Sequence, residues 1–438
     1  MRLVLLYKVV QQRSFMNKDK HIPQGYKDSS LGIIPKEWEV KRIGDIGKVV
    51  TGNTPPTNEP ENYGSLYKFV GPVDITEKKY IGKTEKSLSK KGFSLSRYMP
   101  KGSILFTCIG STIGKCAIAN EDLTSNQQIN AIICNTKNNF EYLYYELNYC
   151  SGRIKQIAAE QAVPIINKST FENYKIICPP ISEQNNIANV LSSWDIAIEK
   201  QSELIEKLTL RKRALMQKLL TGKKRLPGFS GKWQEKKLGG ISIFLSNNTL
   251  SREQLNVSSG DVHCIHYGDV LIKYPSIIDC EKETMPFINE NAYKESMIDF
   301  IENGDIIISD TAEDETVGKA CEIQNVGNKK ILAGLHTMLL RPNKGLFAPC
   351  FLGYYINSEA YHKKLIPLIQ GIKVCSIGKK AIQNTTIAIP PLEEQKAIAS
   401  VLVKADKEIE LAKDKLASLQ SQKRGVMQQL LTGKKRIK

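Results

Sequence analysis

The sequence lacks the usual marks of a membrane protein, a disulfide scaffold or a metal protein. Its 438 residues contain no run of about 18 apolar residues, so we expect no membrane span. Ten cysteines occur without a CxxC pair, which argues against structural zinc or disulfides and fits a reducing cytoplasm. The five histidines form no HExxH or other metal-ligand set, so we predict no bound metal. The mildly apolar start is interrupted by Lys8 and precedes no cleavage site, which argues against a secretory signal.

Motifs of nucleotide-binding and catalytic proteins are also lacking. GKT at 82–84 would need a glycine where Glu77 stands, and GSTIGKC at 110–116 is one residue short of a phosphate loop. No glycine-rich fingerprint follows a strand, and no nuclease carboxylate set is convincing. The Pro-Pro pairs at 179–180 and 390–391 lack the flanking polar and aromatic residues of an amino-methyltransferase loop. We therefore predict a non-catalytic chain that carries no cofactor.

The chain has a strong excess of positive charge. The formal net charge is +17, and the isoelectric point is near 9.2. Such a balance points to a polyanionic partner, most often a nucleic acid, although acidic proteins and membranes also attract basic chains. The hydrophobic content of 41% is ordinary for a globular protein with real cores.

One segment of the chain occurs twice. The copies begin at Pro179 and Pro390, align without a gap at an offset of 211 residues, and are identical at roughly half of their positions. Each copy reads as one long helix that starts after Pro-Pro and ends at Leu-Leu-Thr-Gly. Its apolar residues follow a heptad pattern, which favours packing of the two helices on each other over two separate surface helices. The seam positions are Ile187, Leu191, Ile198, Ile205, Leu208, Leu215 and Leu219 in the first helix, and Ile398, Leu402, Ile409, Leu416, Leu419, Val426 and Leu430 in the second.

The repeat extends into the segments before the helices. WEVKRIGDI at 38–46 matches WQEKKLGGI at 233–241, and YYELNYCSGRI at 144–154 matches YYINSEAYHKK at 354–364. Short apolar runs separated by glycine, proline and asparagine predict strands, while Tyr142–Cys150 and Ser151–Ala162 predict two helices. We predict an N-terminal tail at 1–30, a globular domain at 31–180, a helix at 181–225, a second globular domain at 226–390 and a second helix at 391–438.

The predicted fold class is α+β. Two mixed α/β domains are separated by two long helices that form an intramolecular coiled coil. Because the termini of compact domains usually lie close together, the second helix should start near the end of the first and run antiparallel to it. The duplication makes the arrangement pseudo-two-fold.

Polar loops between apolar runs are the candidate nucleic-acid contacts, although any one of them alone is more typical of an ordinary turn. Amides and hydroxyls can bind base edges, while lysine and arginine hold phosphates. In the first domain the candidates are Thr51, Asn53, Thr54, Ser111, Thr112, Lys115, Asn126, Gln127 and Gln128. In the second they are Lys273, Tyr274, Thr311, Lys319 and His336.

Other charged residues have plainer explanations. The acidic run Asp310, Glu313, Asp314 and Glu315 is read as a solvated turn rather than a cytosine acceptor, and His263 with His266 as a half-buried structural pair. Basic runs close both helices, where they complement the helix dipole or lie over a duplex backbone. These runs are Arg211, Lys212, Arg213, Lys218, Lys223, Lys224 and Arg225, and Lys423, Arg424, Lys434, Lys435, Arg436 and Lys438.

Taken together, these features resemble the specificity subunit of a type I restriction-modification system. The resemblance covers about residues 30–438 and lies in the order of domains and helices, the PP…EQ…IA…L helix start, the MQ-x-LLTGKKR helix end and an IP-x-x-W entry at Ile34, Pro35 and Trp38. The second domain departs from this pattern, with LPGFSGKW and LSNNTLS in place of IP-x-x-W and TG-x-TPP.

The resemblance implies a function for each part. The domains would be target recognition domains that each read one half of a bipartite site in double-stranded DNA. The helices would be a conserved spacer that sets the gap and docks two modification subunits. S-adenosylmethionine, ATP and Mg²⁺ would then belong to the modification subunits and to restriction subunits, which translocate and cleave DNA. Two alternatives stay open: a coiled-coil adaptor that does not bind DNA, and the recognition part of a split restriction or methylation enzyme.

Overall fold

The computed structural model describes residues 22–158, 164–289, 292 and 299–437. The chain forms two compact units, one of residues 1–201 with 415–438 and one of residues 202–414. Most of the predicted tail and the end of the helix predicted over Ser151–Ala162 lie outside the described residues. Both units mix helices and strands, so the α+β prediction is confirmed.

Unit 1 is built on a four-stranded antiparallel sheet. Its helices are α1 Ile43–Ile46, α2 Lys90–Ser94, α3 Phe140–Ala158, α4 Lys168–Asn173 and the first half of α5 Ile181–Leu219. Its strands are β1 Tyr26–Ser29, β2 Gly32–Pro35, β3 Glu39–Arg42, β4 Gly47–Thr51, β5 Tyr63–Val70, β6 Lys86–Leu88, β7 Ile104–Thr107, β8 Cys116–Ile118, β9 Thr124–Ser125, β10 Ile129–Cys134 and β11 Lys175–Cys178. The main sheet has the order β4-β10-β7-β8, and the smaller sheets are β6-β5-β9, β1-β2 and β11-β3.

The central strand β7 is apolar at successive positions because both faces of the main sheet are covered. Side chains alternate across a strand, so Ile104 and Phe106 join one core while Leu105 joins another. The first core also contains residues from α3, Leu191 from the start of α5 and Leu430 from the end of α9, defined below.

Unit 2 repeats this plan with a five-stranded sheet. Its helices are α6 Phe351–Ile356, α7 Glu359–Leu365, α8 Lys379–Asn384, the second half of α5 and the first half of α9 Leu392–Leu431. Its strands are β12 Gln234–Lys237, β13 Ser242–Leu245, β14 Leu255–Asn256, β15 Val262–Ile265, β16 Ile277–Asp279, β17 Phe287–Ile288, β18 Ile306–Ser309, β19 Thr311–Ala312, β20 Ala320–Gln324, β21 Lys330–Ala333, β22 Thr337–Pro342, β23 Cys375–Ser376 and β24 Thr386–Ile389. The main sheet has the order β13-β22-β18-β20-β16.

The two long helices, α5 and α9, have 39 and 40 residues. None of the fourteen seam positions is exposed. Ile187, Leu191, Leu219, Ile398, Leu402, Ile409 and Leu430 are buried, and Ile198, Ile205, Leu208, Leu215, Leu416, Leu419 and Val426 are half-buried. Seam residues of both helices join the apolar core of each unit, which is how the helices are held to the globular part.

Ion pairs fix the direction of the helices within each unit. In unit 1, Asp195 accepts from Lys423 at 2.5 Å, and Glu183, in the first turn of α5, accepts from Arg436 beyond the end of α9. From Asp195 back to Glu183, near the start of α5, the bound residue changes from Lys423 to Arg436, beyond the end of α9. The two helices are therefore antiparallel, as predicted.

Unit 2 contains the same contacts at positions 211 residues apart. Asp406 accepts from Lys212 at 2.5 Å, and Glu394 accepts from Arg225. A tyrosine from the globular part completes each Asp–Lys pair: Tyr145 donates to Asp195, and Tyr354 donates to Asp406 at 2.6 Å.

Three local predictions require correction. Tyr26–Ser29, predicted as part of a tail, forms β1, which pairs with β2. The segment predicted as two helices, so far as it is described, is the single helix α3. The match of residue 144 with residue 354 is shifted by one, because the tyrosine that corresponds to Tyr354 in its contacts is Tyr145.

Candidate nucleic-acid interface

The register of the main sheet gathers three loops of unit 1 at one end. The antiparallel pairing places Thr51, at the end of β4, opposite Asn130 near the start of β10, and Thr107, at the end of β7, opposite Ile129. Strand β8 starts beside Phe106. Loops 52–57, 108–115 and 126–128 therefore emerge together, and we call them the loop edge of unit 1. They contain all but one of the nine candidate residues of the first domain, and the ninth, Thr51, precedes the first loop.

Side-chain and backbone contacts join two of these loops directly. The hydroxyl of Thr54 donates to Oε1 of Gln127 at 2.7 Å, and both side chains are exposed. The backbone of Asn53 donates to Ser125 O at 2.9 Å. A Cβ on Gly52 would lie 2.2 Å from Asn126 O, so only glycine allows this approach.

The third loop is tied to the same place through its backbone. Cys108 N donates to Gln128 O at 2.8 Å, and Asn126 shapes the turn by accepting from Gln128 N at 3.0 Å. Ser111 and Lys115 are exposed, while Thr112 is half-buried. Lys115 borders a cleft of about 270 Å³ whose lining also includes Asn148, Ser151 and Lys155.

Arg97 was missed by the sequence analysis, although it lies beside the loop edge of unit 1. Its backbone donates to Oδ1 of Asn53 at 2.7 Å, and Nη1 donates to Thr51 O at 2.8 Å. The residue is exposed. Its guanidinium is thus held in one orientation, which suits bidentate binding to guanine or phosphate. Nothing in the local sequence distinguishes this arginine from other surface residues.

The main sheet of unit 2 gathers an equivalent set of segments. Ser309, at the end of β18, lies opposite Thr337 at the start of β22, and Ile308 lies opposite Ala320 at the start of β20. Strand β16 starts at the same end, because Ile277 pairs in parallel with Glu322. We call segments 267–275, 310–319 and 334–336 the loop edge of unit 2.

Two candidate residues meet at this edge with an acidic partner. The hydroxyl of Thr311 lies 3.3 Å from Nδ1 of His336 and donates to Asp310 Oδ1 at 2.8 Å. The His336 ring stands edge-on to Tyr267, with 5.4 Å between the ring centres. His336 adopts a positive φ of 54°, which turns its half-exposed side chain outward from the strand.

The two loop edges share a backbone arrangement but not their side chains. Asp310 N donates to His336 O at 3.1 Å, as Cys108 N donates to Gln128 O in unit 1. Asp310 O accepts from Ile377 N, as Cys108 O accepts from Ile166 N. The side chains of Cys108 and Asp310 differ in hydrogen-bonding character, as do those of Gln128 and His336. The third corresponding pair, Ile166 and Ile377, is identical.

The remaining candidates of the second domain have structural partners. Lys319 is half-buried and donates to Leu271 O at 2.7 Å. Lys273 is exposed but lies over the ring of Tyr274, 4.7 Å from its centre. Tyr274 itself is 1% exposed, and burial raises the pKa of its hydroxyl, which donates to Thr284 O at 3.2 Å. Because a buried ring cannot reach DNA, we leave Tyr274 out of the proposed interface.

The acidic run fits a solvated turn except at Asp310, which is half-buried and binds Thr311. Glu313, Asp314 and Glu315 are exposed, and hydrogen bonds from Thr316 lower the pKa of Asp314. Burial lowers the pKa of His266, which favours its neutral form. Within the described ranges, no group of three or more metal-ligating side chains is arranged around a common point, and no helix has the length and apolarity to cross a bilayer.

Several basic residues at the helix ends are engaged in ion pairs. Lys212, Arg225, Lys423 and Arg436 bind Asp406, Glu394, Asp195 and Glu183, respectively. The other described members of the two runs are exposed or bind exposed acids. They are Arg211, Arg213, Lys218, Lys223, Lys224, Arg424, Lys434 and Lys435.

Comparison with known proteins agrees with this architecture. The specificity subunit of the type I restriction enzyme MjaIX of Methanocaldococcus jannaschii is 28% identical over 388 residues, which cover 84% of this chain and 86% of that protein. The MjaVIII specificity subunit of the same organism is 26% identical and covers 95% of this chain and 98% of its own length.

Solved structures share the fold at low sequence identity. The S subunit of a type I restriction-modification system from M. genitalium superposes with a TM-score of 0.53 at 16% identity, over 90% of this chain and 96% of that one. A chain from a structural study of assembly and conformational transition of the type I R-M system gives a TM-score of 0.59 at 17% identity, over 91% and 99%. The family model described as "Type I restriction modification DNA specificity domain" matches twice, at residues 35–210 and 231–421. With most of the sequence inside these two matches, the chain belongs to the family of type I restriction-modification DNA specificity subunits.

Proposed function

We propose that each unit reads one half of a bipartite site in double-stranded DNA. The observation that carries this proposal is the pair of loop edges, which have the same backbone arrangement but different side chains. Two similar scaffolds with different polar groups suit recognition of two different base sequences. A net charge of +17 favours a polyanionic partner, and the DNA specificity family to which the chain belongs makes DNA the polyanion that we propose.

The chemistry of the first edge suits hydrogen bonding to base edges. Gln127, positioned by Thr54, presents an amide that can pair with adenine, and Arg97 presents a planar donor pair suited to guanine. Lys115 is exposed on the third loop of the same edge and suits a phosphate. At the second edge, His336 and Thr311 offer a different set of donors and acceptors.

The two long helices, α5 and α9, are proposed to bind the other subunits and to set the distance between the half-sites. The anchoring contacts Glu183–Arg436 and Glu394–Arg225 recur in the repeat, so the two units carry similar helix surfaces. Two equivalent surfaces suit two identical modification subunits. In this scheme, those subunits and the restriction subunits hold S-adenosylmethionine, ATP and Mg²⁺, and this chain performs no catalysis.

Binding of the chain to DNA, with and without its modification subunits, tests the proposal. The bipartite site is first obtained by methylome sequencing of a host with and without the gene. Gel-shift titrations then compare the intact duplex with duplexes scrambled in the first half, the second half or the gap. Each scrambled half should abolish specific binding, whereas a scrambled gap of unchanged length should not.

The alternatives predict different results in these titrations, in methylome sequencing and in the subunits that activity requires. An adaptor that does not bind DNA would assemble with the modification subunits without changing which sequence is methylated. The recognition part of a split enzyme would require a different catalytic chain. Equal affinity for all duplexes in the presence of the modification subunits would contradict the proposal.

A further inference from the structure

A tight turn of unit 2 presents apolar side chains to solvent. Gln370 and Ser376 exchange backbone hydrogen bonds of 2.9 and 2.8 Å, which close the turn at its base. Gly371 has a φ of +97°, and a Cβ there would lie 2.0 Å from Val374 O. The base of the turn is therefore fixed by its own backbone contacts.

The turn lies beside the loop edge of unit 2. Strand β23, which contains Ser376, pairs with β19, so that Ser376 lies opposite Thr311. Ile377 N also donates to Asp310 O at 2.9 Å. The turn thus adjoins the Thr311–His336 pair, although it is more than 30 residues away in sequence from either of them.

The apolar side chains of this turn are unusually exposed to solvent. Ile372 is 98% exposed and Val374 is 58% exposed, with the exposed Lys373 between them. Residues 360–392 contain Lys363, Lys364, Lys373, Lys379 and Lys380 but no aspartate or glutamate. At the tip itself, the cation Lys373 stands between two exposed apolar side chains, whereas the carboxylates of Glu313, Asp314 and Glu315 lie on the adjoining segment. A tip that joins a cation to apolar groups suits a polyanion that also offers an apolar group.

DNA offers such a group in the major groove, where the C5 methyl of thymine is accessible to apolar side chains. Apolar wedges between base steps act mainly from the minor groove. The hydrogen-bonding side chains next to the turn, Thr311 and His336, suit the varied base edges of the major groove instead. We infer that Ile372 contacts the C5 methyl of a thymine in the half-site read by unit 2. This inference rests on the proposed function.

A double-mutant cycle between protein and DNA tests the contact. Duplexes carry uracil in place of each thymine of the second half-site in turn, which removes only the methyl group. With the assembled wild-type complex, one such replacement should weaken binding roughly fourfold, the equivalent of one buried methyl group. With Ile372→Ala, the same replacement should have no effect, and affinity for the unmodified duplex should already be reduced by a similar factor.

Val257→Ala provides the matched control. Val257 is 82% exposed and follows β14, in a sheet that does not contain β18 or β22. This variant should keep both wild-type affinity and its dependence on the methyl group.

The outcomes separate the inference from the proposed function. If uracil is tolerated at every position, or if Ile372→Ala keeps the full methyl dependence, the contact is overturned while specific binding remains. If the wild-type complex does not discriminate between an intact and a scrambled second half-site, the result contradicts both the proposed function and this inference.

Discussion

Arg436 binds Glu183 through two hydrogen bonds, 2.6 Å from Nε to Oε1 and 2.7 Å from Nη2 to Oε2, although 253 residues separate them. Glu183 also accepts from Nε1 of Trp38 at 2.8 Å. The carboxylate is 5% exposed, and all of its partners belong to unit 1. Arg436, which follows the end of α9, is thereby fixed to the first globular domain by a buried carboxylate.

Removal of this carboxylate should destabilise unit 1. Glu183→Ala leaves Arg436 without its buried partner and the buried Trp38 N–H without an acceptor, so the free energy of unfolding should fall by about 3 kcal/mol. Trp38 fluorescence in a Trp194→Phe, Trp233→Phe background reports urea unfolding of unit 1. Glu37→Ala is the control, because Glu37 pairs with the same arginine at 3.0 Å but is 56% exposed. Its loss should stay below about 1 kcal/mol, and equal losses would contradict the argument.

The stability of unit 1 should depend on the ionisation of Glu146. This carboxyl is 1% exposed, and among the described residues its Oε2 has no hydrogen-bond partner. Burial raises its pKa from near 4.5 to about 7, so the folded protein holds the proton more tightly than the unfolded chain. Stability should therefore fall as the pH rises from about 4.5 to about 7, by ~3 kcal/mol in total, and change little above that range.

Glu146→Gln tests this dependence because glutamine cannot ionise. The variant should unfold at nearly the same urea concentration from pH 5 to 8 and exceed the wild type above pH 7. Glu322→Gln in unit 2 is the control: the pKa of Glu322 is also raised to about 7 by burial, but it should not affect the curve reported by Trp38. Parallel pH profiles for wild type and Glu146→Gln would contradict the expectation.

Residues of the two loop edges should affect separate halves of the recognition site. Gln127→Ala should relax discrimination at one base pair of the first half by about 1–3 kcal/mol, and His336→Ala should do the same in the second half. Lys115→Ala should instead weaken binding to all sequences and reduce the slope of log K against log salt by about 1. Titrations of single-base-pair variants at several salt concentrations measure both effects. If Gln127→Ala and His336→Ala relaxed discrimination in the same half-site, the assignment of one loop edge to each half-site would be contradicted.

The helices were predictable because their pattern is local and repeated. A heptad seam needs only residues three or four apart, and its fourteen positions are indeed shielded from solvent. The antiparallel direction followed from chain connectivity. The shift at the two Tyr-Tyr pairs could not be detected in the same way, because tyrosine aligns with tyrosine at either offset. Only the contacts of Tyr145 with Asp195 and Tyr354 with Asp406 decide between them.

The sequence predicted which segments form the candidate interface better than it predicted which residues of those segments are exposed there. Polar loops that follow apolar runs must emerge at strand ends, and the register brings them together. Arg97 and Ile372 lie in segments where the two domains differ, so the repeat gave no guide to them. Tyr274 is among the candidate contacts predicted from the sequence, but the fold buries its ring in the core. Whether an isolated aromatic residue is inside or outside depends on pairing between distant strands, which local sequence does not contain.

Shortening both long helices together should change the preferred distance between half-sites. Deletion of 202–208 from α5 and of 410–416 from α9 removes one heptad from each. The deleted residues lie between Asp195 and Arg211 on α5 and between Glu408 and Lys423 on α9, so the ion pairs of both units are kept. Each helix becomes shorter by about 10 Å. At about 3.4 Å per base pair, a spacer made of these helices should then prefer a gap shorter by roughly 3 base pairs.

The matched control deletes 202–208 alone. Helices of unequal length cannot keep the Asp195–Lys423 pair and the Lys212–Asp406 pair in register at the same time, so this variant should lose assembly or specific methylation rather than acquire a new gap. A duplex library with gaps of every length between fixed half-sites, methylated by the assembled complex and sequenced, measures the preference directly. If the double deletion methylates with an unchanged gap, the helices are not the spacer, and the distance must be set by the globular domains or by the partner subunits.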